Sequence, residues 1–219
     1  MFLGLLSAAA AGENDLNRLK LPAIPGELVV LNSPRELAIN PDGGFFMAAA
    51  GETNLYVNPR GGKPALNAPM VLFEPGEEFI LMARVSGKLQ DIFDVAALVV
   101  YENERTWAKL CYENSIAKEP TIVSVVTRDV SDDCNSQTIS ADYAFLAVMR
   151  KGSAFSFHFS ADGKIWRMVR HFQLKTEGKI KAGFAVHCFG KNGFSATFSQ
   201  ITFFDHAAPK IWNLPPITP

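Results

Sequence analysis

Phe155, Phe157 and Phe159 alternate with Ser156, His158 and Ser160. A period of two puts the three rings on one face of a strand and the polar side chains on the other. Asp162-Gly163 follows, a pair that accepts the positive φ of a tight turn, and Ile165 to Phe172 returns along the first strand. Aromatic mass at alternate positions has to be buried against a second layer, so this hairpin already asks for a sheet packed on a sheet.

The same pattern recurs along the chain. Glu36 to Ile39, Phe45 to Ala49, Met70 to Phe73, Glu78 to Ser86, Val95 to Tyr101, Thr106 to Glu113, Tyr143 to Arg150, Lys181 to Phe189 and Ser195 to Phe204 read as short strands separated by turn signals such as Pro41-Asp42-Gly43-Gly44. No long helical periodicity interrupts them, so the expected architecture is all-β, a two-sheet antiparallel sandwich. The expected division is 1–26 as a helical or extended lead-in, 27–206 as the sandwich and 207–219 as a Pro-rich extended tail. Pro22 and Pro25 break a short N-terminal helix, and the tail with Trp212 is expected to lie along the surface with its indole tucked in.

Charge narrows the partners. A formal net charge of −1 supplies no general attraction for nucleic acid or anionic lipid, and no apolar run approaches the roughly 18 residues of a membrane span. Met1 to Gly12 is apolar but lacks a basic start, which favours a packed helix over a signal peptide. Cys111, Cys134 and Cys188 stand alone without a CxxC pair, as expected of reduced thiols in a cytoplasmic protein, with secretion as the alternative. His171, His187 and His206 show no metal-ligand spacing, and Asp132, Asp133 and Asn135 are hard oxygen donors that only suggest calcium; no metal and no cofactor is expected.

The stretch Thr106 to Asp133 carries the chemistry. As a strand, Thr106 to Glu113 turns Ala108, Leu110 and Tyr112 to a core and Trp107, Lys109, Cys111 and Glu113 to the other side. A second strand ends at Arg128, and the carboxylates that follow read as a loop.

Several motifs along the chain resemble one family. Asp94-Val-Ala-Ala-Leu-Val-Val, Trp107-x-Lys109-x-x-x-Glu113, Val125-Val-Thr127-Arg128 with Ser131-Asp132, and Arg150-x-Gly152 with Ser160-x-Asp162-Gly163-x-x-Trp166 are similar to the regulation-of-enolase protein family. That family belongs to the concanavalin A-like lectin/glucanase superfamily, and the likeness covers roughly Leu28 to Phe204. It implies a concanavalin A-like jelly roll. The family tends to continue Ser-Asp-Trp where this chain has Ser131-Asp132-Asp133, so a stacking role of that tryptophan is missing or passes to Trp107.

The candidate ligand-binding residues are Trp107, Lys109, Glu113, Arg128, Asp132 and His158. An indole stacks on a sugar while flanking charges bond its hydroxyls. The plainer alternative is a cross-strand Lys-Glu pair beside a half-buried Trp, worth about 0.2–1 kcal/mol. Arg128 serves equally as a salt-bridge partner or a ligand contact. His158 suits either acid–base work or a solvated face. Three functions remain open: binding a carbohydrate or small polar ligand on a concave sheet, glycoside processing by Glu113 with Asp132 or Asp133, and a regulatory or interaction role. No strand carries the alternating carboxylates of the superfamily's glucanases. On this reading truncating Trp107 leaves the fold intact.

Overall fold

The computed structural model describes residues 20–217, which form strands and turns without helix. Sixteen strands follow in order: β1 Val29–Leu31, β2 Glu36–Ile39, β3 Phe45–Ala49, β4 Leu55–Tyr56, β5 Ala65–Leu66, β6 Met70–Phe73, β7 Glu78–Ser86, β8 Asp94–Asn103, β9 Thr106–Asn114, β10 Pro120–Arg128, β11 Val130–Thr138, β12 Tyr143–Lys151, β13 Ala154–Ser160, β14 Arg167–Gln173, β15 Lys181–Cys188 and β16 Phe194–Phe204. Seven of them make a first sheet ordered β1-β6-β15-β8-β9-β10-β11, and seven a second ordered β14-β13-β12-β7-β16-β3-β2. Strands β4 and β5 form a separate two-stranded sheet. The expected N-terminal helix falls outside the described residues. No helix among the described residues is long and apolar enough to cross a membrane.

The main core lies between the two large sheets. Ala108, Leu110 and Tyr112 of β9 meet Leu81, Val148, Phe157 and Phe159 of the opposite sheet there, as alternation dictates. Gly163 has φ +72 in the turn after β13, the positive value that the Asp162-Gly163 pair was read to supply.

Each sheet also carries an apolar cluster on its outer face. On the first sheet, Val95, Val99, Trp107, Cys111, Val123 and Val125 are covered by Leu55 and Ala68. The covering segment is pinned at both edges: the Thr53 N–H donates to the Cys188 carbonyl at 2.9 Å, and the Ser131 N–H donates to the Val57 carbonyl at 2.9 Å. It therefore crosses from β15 to β11 over the strands between. On the second sheet, Ile80, Met82, Phe145 and Met149 are covered by Ala208, Leu214 and Ile217 of the tail.

Three expectations need correction here. The carboxylate run after Arg128 is not a loop but the edge strand β11, paired to β10 from Arg128↔Val130 to Thr121↔Thr138. Its one free edge lets both faces stay polar, which erased the alternation. Trp212 is not tucked in; it is 67% exposed, and the tail is held instead by Leu214, by Ile217 and by Trp166, whose Nε1 donates to the Pro215 carbonyl at 2.9 Å. His158 belongs to no solvated face; it is fully buried.

Candidate functional site

Cross-strand register assembles the site. Val95 of β8 is opposite both His187 of β15 and Glu113 of β9, so His187 and Glu113 share one row and one face. Lys109 of β9 and Asp133 of β11 share another row through Val125 of β10. The row between holds Ala185, Ala97 and Cys111, small side chains that leave room above the sheet for the long Lys109 stem. Lys109 Nζ crosses to His187 Nε2 at 2.8 Å.

These four side chains line a cavity of about 580 Å³ on the outer face of the first sheet. The covering segment supplies Asn54, Tyr56, Asn58 and Arg60 to its wall, and Phe93 and Phe189 form an apolar side. The two rings meet edge to face with centroids 5.9 Å apart, and Phe189 remains exposed, so its face is available to stack on a ligand.

The floor of the cavity is buried while its rim is exposed, and burial dominates the electrostatics of the floor. Burial pushes the Glu113 carboxyl up to about 7; Lys109 pulls it down and Asp133 adds to the rise. Burial, reinforced by Lys109, drives the His187 imidazole well below its ordinary value. His187 is therefore neutral and accepts from the Lys109 ammonium through Nε2, which leaves its proton on Nδ1. That Nδ1 is buried and has no partner among the described residues. The Tyr56 hydroxyl donates to Asp133 Oδ1 at 3.2 Å, and burial together with Asp133 raises the phenol. Burial raises the Cys111 thiol to about 12, which makes it an inert floor rather than a nucleophile.

Of the six residues singled out from sequence, Lys109 and Glu113 line this cavity. The other four lie elsewhere. Trp107 is fully buried beneath the covering segment, with Nε1 donating to the Glu104 carbonyl at 3.3 Å, so it has no face to offer a sugar. Arg128 reaches neither Glu113 nor Asp132; its Nη2 donates to the Gln173 carbonyl at 2.8 Å, on the other sheet. Asp132 faces away from Asp133, because neighbours on a strand point to opposite sides, and it pairs with Arg170 at 3.0 Å. His158 sits on the second sheet, its Nε2 2.8 Å from Ser156 Oγ.

His187, Tyr56 and Phe189 were missed. His187 carries a period-two signal with Ala185 and Gly183, but nothing local to pair it with Lys109 across 78 residues. The chain departs from the Ser-Asp-Trp pattern at Asp133, and that departing side chain is the one of the two aspartates that faces the cavity.

A family model described as protein of unknown function, DUF1349, matches residues 30–205. The chain belongs to this family. No curated protein matches it. Among solved structures, this DUF1349 chain is similar to a functionally unknown protein from Saccharomyces cerevisiae, with a TM-score of 0.76 and 21% identity over 84% of this chain and 97% of that one. A carbohydrate-binding module, CBM66, from Bacillus subtilis aligns at a TM-score of 0.52 and 12% identity, covering 80% of this chain and 94% of the module. A GH43 protein from Bacillus licheniformis aligns at 0.61 and 14%, over 75% of this chain but only 33% of its own length. At these identities the likeness is one of fold, a two-sheet β-sandwich.

Proposed function

We propose that this DUF1349 sandwich binds a carbohydrate or a related small polar ligand in the cavity over β9. One observation carries the reading: Lys109, Glu113, Asp133 and His187, from three strands of one sheet, converge on a single cavity with an exposed aromatic beside them. Apolar walls with a few converging polar groups are the usual make-up of a small-ligand site, and a sugar presents both an apolar face and hydroxyls. The named sandwiches it resembles, a carbohydrate-binding module and GH43 proteins, lend support through their own names alone.

Hydrolysis fits less well. Glu113 and Asp133 stand four residues along and two strands apart, which at standard spacings separates their α-carbons by about 16 Å. A retaining glycosidase holds its carboxyls about 5–5.5 Å apart. Two side chains this short do not close that gap to a retaining pair, and an enzyme built on them would need the wider separation of an inverting pair, about 6.5–9.5 Å.

The resemblance to the regulation-of-enolase family supplies a second reading, in which occupancy of the same cavity reports a sugar metabolite to a partner enzyme. Isolated thiols, one of them the exposed Cys134, suit a reducing compartment and so a cytoplasmic protein.

The test is a glycan array followed by calorimetry on the wild type, Asp133→Asn and Glu113→Gln. Binding by the wild type that weakens at least about tenfold, near 1.4 kcal/mol, in either variant supports the site. Binding unaffected by both variants removes the cavity from the reading, and an array without a hit removes the carbohydrate.

A further inference from the structure

Lys109 is an unusual side chain to find in this wall. It is 3% exposed, and the partner its Nζ reaches is an imidazole rather than a carboxylate. None of the ion pairs among the described residues includes it. Burying an ammonium without a counter-ion is costly, and such a charge is normally paired. Of its three N–H donors one points to His187, so two remain to be satisfied.

Two further donors lie close by. His187 keeps its proton on Nδ1, which is buried without a partner among the described residues. Arg60 lines the same cavity from the covering segment, is exposed, and enters none of those ion pairs either; the bond it makes, to Asn58, is through its backbone N–H. Asp133 makes no ion pair with Lys109 or Arg60; it stands two strands from Lys109, and its Oδ1 accepts from Tyr56.

We propose that the ligand is an anionic saccharide, a sugar bearing a carboxylate or a phosphate, whose charged group docks between Lys109 and Arg60 while its hydroxyls meet Glu113 and Asp133. This rests on the carbohydrate reading above and adds a charge requirement to it. An anion there gives the buried ammonium a counter-ion in direct contact, which no described residue provides, through charge-assisted bonds that a neutral sugar cannot make. Discrimination of this kind is strong, since the neutral analogue leaves a buried cation unpaired.

Glu113 adds a pH dependence. The charged and titratable groups that face it are Lys109 on its own strand, Asp133 from β11, His187 from β15, and Tyr56 and Arg60 from the covering segment. With its carboxyl pushed up to about 7, it carries a charge that repels a ligand anion at higher pH and loses that charge at lower pH. Preference for the uronate, whose own charge is constant over this range, therefore grows as the pH falls from 8 to 6.

The test is calorimetry on the full chain with matched probes: glucose, glucuronate and glucose 6-phosphate, and the same set built on galactose. Tighter binding of one acidic member than of its neutral parent, by at least about tenfold, is the expected result, and the uronate and phosphate arms distinguish the two anions. Lys109→Met should abolish that preference. Arg60→Ala, at an exposed position where the fold is not at stake, should reduce it several-fold. Equal binding of neutral and acidic members, or a preference unchanged in Arg60→Ala and Lys109→Met alike, overturns the charge requirement and leaves the carbohydrate reading standing. No binding by any probe or by any glycan of the array, acidic ones included, overturns both.

Discussion

Lys109 Nζ and His187 Nε2 lie 2.8 Å apart in the buried wall of the cavity, 78 residues apart in the chain. The pair fixes the imidazole as a neutral acceptor and turns its remaining N–H away from the ammonium. Lys109 and Glu113 share a face of one strand, but four residues of strand separate their α-carbons by about 13 Å, so they are not neighbours as they would be on a helix. The row of small side chains, Ala185, Ala97 and Cys111, lets the stem run diagonally across β8 to β15.

Glu113 follows from that arrangement. Its carboxyl is pushed up to about 7 from 4.5, chiefly by burial, so the unfolded chain loses this proton well before the folded one. Folded-state stability from this group is greatest below pH 4.5 and falls as the pH rises to about 7, by roughly 3 kcal/mol in all. Glu113→Gln should therefore melt above the wild type at pH 8. The two curves should draw together by pH 4.5. A variant that melts lower than the wild type at pH 8 contradicts this.

His158 titrates in the opposite sense. Burial, with a contribution from His171, pushes it down to about 4 from 6.5. The unfolded chain takes up this proton first, so stability is lost as the pH falls from 6.5 to 4. His158→Gln keeps a polar side chain beside Ser156 and removes the titration. Its chemical-denaturation midpoint should fall less than that of the wild type between pH 7 and pH 4.5; parallel losses in the two proteins would show that His158 is not responsible.

Trp107→Ala, which the sequence suggested would spare the fold, should now be a severe stability mutant. The side chain is fully buried among Val99, Val125 and Leu55. Its removal should cost roughly 3–5 kcal/mol and lower Tm by about 10 °C or more. A thermal melt within a few degrees of the wild type would show that the covering segment does not hold the indole.

The tail offers a paired comparison. Leu214 is buried on the second sheet and Trp212 is 67% exposed, two residues away. Leu214→Ala should destabilise by about 2 kcal/mol, while Trp212→Ala should stay within about 0.5 kcal/mol. Urea unfolding of both variants reads the difference, and the reverse order would mean that the indole is the anchor after all.

Period-two patterning carried most of this fold. With the turn signals it set the bounds of Glu36–Ile39, Phe45–Ala49, Met70–Phe73 and Glu78–Ser86 as they stand in the structure, and it put Lys109 and Glu113 on the face away from Ala108, Leu110 and Tyr112. A strand's alternation reports which side chains share a face, since that depends only on the backbone's own geometry. It is silent on what covers the face. Val130–Thr138 was lost because an edge strand needs no apolar side. Trp107 was put in the open because the segment that buries it lies some fifty residues upstream, and Trp212 was buried because nothing local shows that Leu214 and Ile217 do the anchoring. His187 joined Lys109 through two intervening strand pairings, each set by long-range register. The faces were local properties of the chain; their neighbours came from non-local pairing and from segments docked across the sheets, and the cavity exists where those non-local choices meet.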